Sequence, residues 1–181
     1  MDAIELLKHD HRIVEQMFRD YQAAMSDRQR RGVAEILIRE LSKHAALEEL
    51  TVYPFAGQHL PDGAVDVDEH LREHMAVKKT LAALDRLPEG SAAEADLVAE
   101  LQREVSQHVQ EEEGVFFPAL RGAVSQEALA ELGQQLDRAK QAAPTRPHPG
   151  APDRPPGLAL LGPAVAAFDR LRDRLQGRPQ T

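Results

Sequence analysis

The chain has 181 residues, enough for one ordinary domain or one domain with an appendage, and it is rich in the helix-favouring residues Ala, Leu, Glu and Gln. It contains no cysteine, which excludes disulfides, thiolate-bound metals and cysteine nucleophiles. The net charge of −8 argues against nucleic-acid binding. We expect a cytoplasmic protein without a membrane span, because the sequence shows neither a signal peptide nor a run of about 20 apolar residues.

Apolar side chains spaced three or four residues apart predict five helices, at about 2–25, 28–57, 65–88, 92–120 and 125–142. Asp2 with Glu5, and Ser91 with Glu94, have the spacing of capping boxes that would open the first and fourth helices. Four long helices joined by short connections favour an all-α fold. The sequence therefore predicts an antiparallel up-down-up-down four-helix bundle, with the fifth segment as an additional C-terminal helix.

The composition changes near residue 143. Residues 144–163 contain seven prolines, a density that prevents helix formation, whereas residues 163–175 could form a short basic amphipathic helix. The sequence thus predicts a helical domain at 1–142 and a proline-rich arm at 143–181. The last 39 residues hold six basic and three acidic side chains, and the first 142 hold 16 and 27. The arm could therefore lie along the acidic body or bind an unknown protein partner.

Four of the predicted helices have an apolar, core-facing stripe that is interrupted by His or Glu. The stripes extend to Met25 in the first helix and to Val115 in the fourth. The interrupting residues are His11, His44, Glu48, His70, His74, His108 and Glu112. Counted from the connections at about 1.5 Å of rise per residue, all four helices bring His or Glu to one layer. A lone core histidine is usually just hydrogen-bonded, but unpaired buried carboxylates are costly, so the shared layer predicts metal binding.

Two helices repeat one motif, His44-x-x-x-Glu48 and His108-x-x-x-Glu112. Residues i and i+4 lie on the same helical face, so each pair can offer one imidazole and one carboxylate to neighbouring ions. Imidazole suits iron, zinc, copper and nickel, and carboxylates shift the preference towards iron or manganese. The motifs predict a carboxylate–histidine dimetal site without fixing the metal, and open coordination positions would leave room for O2, peroxide, NO or water.

Four segments follow one another along the chain: LLKHDHRIVEQMF, KHAALEELTVYP, EHMAVKKTLAAL and QHVQEEEGVFFPAL. Together they resemble the haemerythrin family, specifically the bacterial HHE cation-binding domain, over about residues 3–140. The proline-rich arm resembles the tail of actinobacterial members. The resemblance implies two non-haem iron ions, carboxylate- and oxo- or hydroxo-bridged, with Glu48 and Glu112 as the bridges. It implies these ligands: His11, His44, Glu48, His74, His108 and Glu112.

Two assignments stay open at this point. His70 forms His-x-x-x-His with His74 and is either a fifth imidazole ligand or a core residue. Tyr53 either approaches a metal or is a core tyrosine. Among the other polar residues near the motifs, we expect His9 to be exposed or to support a ligand, and Lys78 and Lys79 to lie at the surface. We expect Glu49, Glu111 and Glu113 to be solvated, with hydrogen bonds to the ligating imidazoles somewhere around the site.

The leading functional prediction is a diiron protein that binds, senses or detoxifies a small diatomic or peroxide ligand, that is O2, NO or hydrogen peroxide. One alternative is an enzyme at the same irons, a catalase-like or NO-related diiron oxidoreductase. Another alternative is iron storage, delivery or iron-centre repair, in which the site exchanges metal. The last alternative is a metal-free bundle whose core histidines are hydrogen-bonded.

Overall fold

The computed structural model describes residues 1–61, 67–152 and 157–178, with side chains at 1–61, 67–152 and 162–178. All regular secondary structure in these ranges is helical, which confirms the predicted all-α class. The helices are α1 (Ala3–Ala23), α2 (Asp27–Leu47), α3 (Tyr53–His59), α4 (Val67–Arg86), α5 (Glu94–Glu111), α6 (Phe117–Ala123), α7 (Gln126–Lys140) and α8 (Gly157–Leu175). Within the described ranges no helix is both long and apolar enough to cross a bilayer.

The four long helices α1, α2, α4 and α5 contact one another in a closed ring, α1 with α2, α2 with α4, α4 with α5 and α5 with α1. Helix α7 packs against α1 and α2. Gly133 in α7 permits a close approach to the N-terminus, because a Cβ built there would lie 2.7 Å from the carbonyl oxygen of Met1. The predicted fifth helix therefore completes the core instead of standing apart.

Two of the predicted long helices contain a π-helical turn. Helix α2 continues into α3 through the turn Glu48–Val52, and α5 continues into α6 through the turn Glu112–Phe116. A π turn holds an extra residue, so the buried face of the helix rotates after it. For this reason Val115 is 47 % exposed, contrary to the predicted stripe, whereas Phe116 and Phe117 are buried.

The capping box predicted for the first helix is present, but the one predicted for the fourth helix is not. The amide of Glu5 donates to the Asp2 carboxylate at 2.9 Å and the amide of Asp2 donates to Glu5 at 3.3 Å, which confirms the first capping box. The second is wrong, because α5 begins at Glu94, whose buried carboxylate accepts a hydrogen bond from Tyr21 instead. The predicted core residue Met25 is 89 % exposed, because α1 ends at Ala23.

The proline-rich arm lies along the acidic body, one of the two alternatives that the sequence left open. Arg146 is only 2 % exposed, and its guanidinium contacts Asp85 of α4 at 3.0 Å and Asp173 of α8 at 2.6 Å. Helix α8 begins at Gly157 rather than at 163 and contains Pro163, so the expectation that residues 144–163 are entirely non-helical is wrong.

The core consists of two clusters of buried apolar side chains, one containing Leu7, Leu71 and Phe116 and the other containing Val14, Val77 and Val105. Along α1, α4 and α5 the two clusters are separated by a histidine of the predicted metal layer. The helices thus bury polar groups in one layer between two apolar ones, as the interrupted stripes predicted.

Candidate metal centre

Four buried side chains form a first cluster, His11 of α1, His44 of α2, and Glu48 and Glu112 at the starts of the two π turns. One ligand atom of each lies within 4.8 Å of the others. The His44 Nε2 atom is 3.2 Å from Glu48 Oε1, and His11 Nε2 is 3.3 Å from Glu112 Oε2. The imidazole and carboxylate atoms therefore converge closely enough to surround one ion.

A second cluster lies beside the first. His74 Nε2 is 3.2 Å from Glu48 Oε2, and His108 Nε2 is 3.5 Å from Glu112 Oε2. His70 groups with His108 and Glu112. Because Glu48 directs Oε1 to the first cluster and Oε2 to the second, its carboxylate has the arrangement of a bridge between two ions.

The layer thus brings together all the residues that the sequence singled out as ligand candidates, and all are buried. Tyr53 also lies in this layer. Its hydroxyl is 3.1 Å from His74 Nε2 and donates a hydrogen bond to Glu112 Oε1 at 3.3 Å. Burial, together with the charges of Glu48 and Glu112, raises the pKa of Tyr53 well above its usual value, so the hydroxyl keeps its proton when no ion is bound.

A carboxylate lies near the Nδ1 atom of each of the five candidate histidines. The Nδ1–carboxylate distances are 2.9 Å for His11–Glu113, 4.0 Å for His44–Asp10, 3.9 Å for His70–Glu73, 3.0 Å for His74–Glu49 and 2.9 Å for His108–Glu73. The His44 and His70 contacts are too long for hydrogen bonds, and the other three are hydrogen bonds. Carboxylates in this position orient an imidazole and raise its basicity, which is the usual support for a histidine that ligates a metal.

Glu49 and Lys78 are buried, so their predicted surface positions are wrong. Glu49 contacts the His74 ring, and Lys78 holds Glu49 in place, because Lys78 Nζ lies 2.6 Å from the Glu49 carboxylate. Lys79 and Glu111 are exposed as predicted, and Glu113 is only partly buried. A repeat in the sequence could have indicated this supporting role of Glu49. The pairs Glu48-Glu49 and Glu112-Glu113 recur on two helices, and in the structure each pair begins a π turn. In each pair the first carboxylate faces the centre, and the second supports a histidine on another helix.

Several polar atoms of the layer have no hydrogen bond, namely Glu48 Oε1 and Oε2, Glu112 Oε2, His44 Nδ1 and His70 Nδ1. Buried carboxylate oxygens without a partner are costly, and a bound cation would compensate them. Imidazole and carboxylate together suit iron, manganese or zinc. By these observations the residues fit a pair of divalent metal ions.

His44 and Glu48 shift each other's pKa in opposite directions. Burial alone would lower the pKa of His44, but Glu48, Asp10 and Glu112 raise it to about 10. Burial opposes ionisation of Glu48 as well, yet His44, His108 and His74 hold its pKa well below the usual range. A proton on His44 therefore offsets the carboxylate charge of Glu48, and a bound metal ion would take over that role as the proton leaves.

An apolar cavity lies against the two clusters. Its volume of about 20 Å³ is enough for one water-sized molecule. Four of the clustered histidines face it, and the rest of its wall is aliphatic: Val14, Leu41, Ala45, Val77, Val105 and Val109. A small uncharged molecule would therefore fit next to the imidazoles.

A sequence model of the Hemerythrin HHE cation binding domain matches residues 2–120, which include both clusters. The chain belongs to this family. The match confirms the resemblance drawn from the four sequence segments. It ends before the proline-rich arm, so the arm and α8 lie outside the matched region.

The chain is also similar to two curated proteins and to one solved structure. A hemerythrin-like protein of Schizosaccharomyces pombe is 28 % identical over 179 residues, covering 93 % of this chain and 88 % of that protein. A DNA nickase of Nostoc is 24 % identical over 140 residues, and the alignment covers 77 % of this chain but only 39 % of the nickase. The crystal structure of a Hemerythrin HHE cation binding domain-containing protein from Mycobacterium kansasii has a TM-score of 0.66 at 23 % identity, covering 78 % of this chain and 86 % of that one. This chain therefore shares the hemerythrin-like fold of that structure.

Proposed function

We propose that this HHE-domain protein holds two iron ions in its His–Glu layer and binds, senses or detoxifies a small oxidant such as O2, NO or hydrogen peroxide. One arrangement carries the proposal. The group of His11 and His44 shares Glu48 with the group of His74 and His108, and it shares Glu112 with the group of His70 and His108. An apolar cavity with room for one small molecule lies against them. The first ion would bind His11 and His44. The second would bind His74 and His108, with His70 as a further imidazole, and the two glutamates would bridge the ions.

Iron at this position would supply reversible electron exchange with a bound oxidant. The protein's own groups would prepare the site. Glu49, Glu73 and Glu113 would hold the imidazole rings with Nε2 directed at the ions. The aliphatic wall of the cavity would exclude bulk water, and the Tyr53 hydroxyl would place a proton donor beside the second cluster.

The proposal includes an up-down-up-down order of the four long helices, because a closed ring of contacts and one shared ligand layer suit alternating neighbours. It needs no nucleic acid and no membrane. A cytoplasmic location and the division of the chain between residues 142 and 143 stay predictions from the sequence.

The test compares the iron content and the optical spectrum of wild type, His44→Ala and His9→Ala after expression with added iron. His9 is a matched control, because it is exposed on α1 next to the layer. We expect about two irons per chain in wild type and in His9→Ala, with absorption bands that change on adding O2, NO or peroxide. His44→Ala should lose the bands and most of the iron.

The same preparations separate the alternative functions. Equal iron content and equal bands in His44→Ala and wild type would contradict the proposed centre. Continued turnover of peroxide, rather than one reaction per site, would favour the catalase-like alternative. Rapid loss of iron to a mild chelator would favour storage or delivery, although the burial of every candidate ligand argues for slow exchange.

A further inference from the structure

A surface groove lies between α1 and α5 and reaches the metal layer at His11. The groove has a volume of about 500 Å³, far larger than the cavity beside the two clusters. Its outer rim carries polar side chains of both signs, including Arg12 and Glu15. Its inner wall is apolar and includes Phe18. A molecule that enters the groove from solvent therefore leaves a polar surface for an apolar one as it nears the centre.

The groove and the cavity share four lining residues, His11, Val14, Val105 and Val109. Val14 and Val105 are buried, and Val109 is partly buried. A side chain that lines both spaces is the partition between them. The partition is thus one side chain thick, and apart from the His11 ring it consists of valines, which offer no hydrogen bond to a passing molecule.

Two contacts join α1 to the opposite side of the groove, one to α5 at the surface and one from the partition to the π turn that follows α5. Gln22 Nε2 donates to Gln102 Oε1 at 3.1 Å, and His11 Nδ1 lies 2.9 Å from Glu113 Oε1. Because Glu113 holds the His11 ring, the valine side chains are the part of the partition that would rotate to open it. Rotation of a valine side chain makes only a small opening, so it would admit only small molecules.

We propose that the groove between α1 and α5 is the entrance to the centre and that Val14, Val105 and Val109 form a gate that admits small uncharged molecules. The gate selects by size, because the cavity behind it holds about one water-sized molecule. It also selects by charge, because an ion would lose its hydration against aliphatic walls. This inference rests on the proposed function, since it assigns the route by which that small oxidant reaches the centre.

The first test follows dissolved O2, which is paramagnetic, by methyl NMR of the full-length chain with zinc in place of iron. The methyl groups of Leu41 and Val77 line the cavity behind the gate. In wild type we expect strong O2-dependent relaxation at these methyl groups. Val109→Phe should weaken that relaxation, because the larger ring closes the gate and reduces the amount of O2 that occupies the cavity. Val33→Phe is the matched control, because Val33 is a partly buried valine of α2 that lines neither space.

The second test measures the rate at which the iron-loaded full chain reacts with O2 or NO. We expect Val109→Phe to slow the reaction about tenfold at unchanged iron content, while Val33→Phe matches wild type. If Val109→Phe does not fold, Val109→Leu replaces it. Unchanged relaxation and rates in a folded gate variant would overturn the route. A failure of all variants to bind iron would instead overturn the proposed function, while the NMR result would still report on the route.

Discussion

Replacing Glu49 by glutamine tests whether the carboxylate behind His74 supports metal binding. Glu49 is 2 % exposed, and its carboxylate lies 3.0 Å from His74 Nδ1 and 2.6 Å from Lys78 Nζ. Glutamine has nearly the same size and can still accept a hydrogen bond from His74. The change removes only the negative charge, so His74 becomes less basic and Lys78 loses its counter-charge inside the protein.

The expected loss has two parts. Removing a carboxylate behind a metal-bound histidine typically costs 10–100-fold in metal affinity, about 1.4–2.7 kcal/mol. Breaking a buried ion pair by removing one partner costs about 3–5 kcal/mol of stability. For Glu49→Gln we expect a stability loss at the lower end of this range, about 3 kcal/mol, because Lys78 has a long aliphatic stem and can move its ammonium towards water.

Metal affinity is measured by competition with a chromophoric chelator, and stability by urea unfolding of the metal-free chain. Glu111→Gln is the matched control, since Glu111 is exposed and has the same charge. The double variant Glu49→Gln/Lys78→Met should recover much of the stability but not the affinity. An affinity for both ions within about twofold of wild type in Glu49→Gln would refute the supporting role.

Three further outcomes follow from the packing. Gly133→Ala should lower the melting temperature by overpacking worth about 1–3 kcal/mol, whereas Gly32→Ala, where a Cβ meets open space, should leave it unchanged or raise it. Arg146→Ala should speed amide hydrogen exchange in the arm and α8, because it leaves the buried Asp173 carboxylate with one charged partner fewer. Burial opposes ionisation of Asp85, but Arg178 and Arg146 lower its pKa below the usual 3.8. Its ion pairs therefore stabilise the fold above that pH, and the stability difference between wild type and Asp85→Asn in urea unfolding should close as the pH falls further.

The paired glutamates link the two halves of the centre. Glu48 and Glu112 face the centre of the His–Glu layer, while Glu49 and Glu113 turn outward to histidines of other helices. Each pair opens a π turn, where the extra residue changes which side chains face inward. Such turns are frequent at functional sites, and here they let one short segment serve both the centre and its support.

The sequence by itself determined the helices and the candidate ligands. Helical periodicity marks the core-facing positions, and a charged group there stands out because burial is costly. The repeated His-x-x-x-Glu spacing then placed His44 with Glu48 and His108 with Glu112, and the helix lengths placed all of them in one layer. These signals are local, so no tertiary information was needed to read them.

Only the tertiary structure decided which distant residues meet. An ideal helical repeat does not mark where a π turn begins, so helical periodicity predicted neither the burial of Glu49 nor the exposure of Val115. The repeated Glu-Glu pair hinted at a role for Glu49, but only the structure shows that it supports a histidine of another helix. The contact of Arg146 with Asp85 joins positions 61 residues apart, and it fixes the arm against the body. Such pairings depend on how the helices pack, because side chains far apart in the chain come together only after the core has formed.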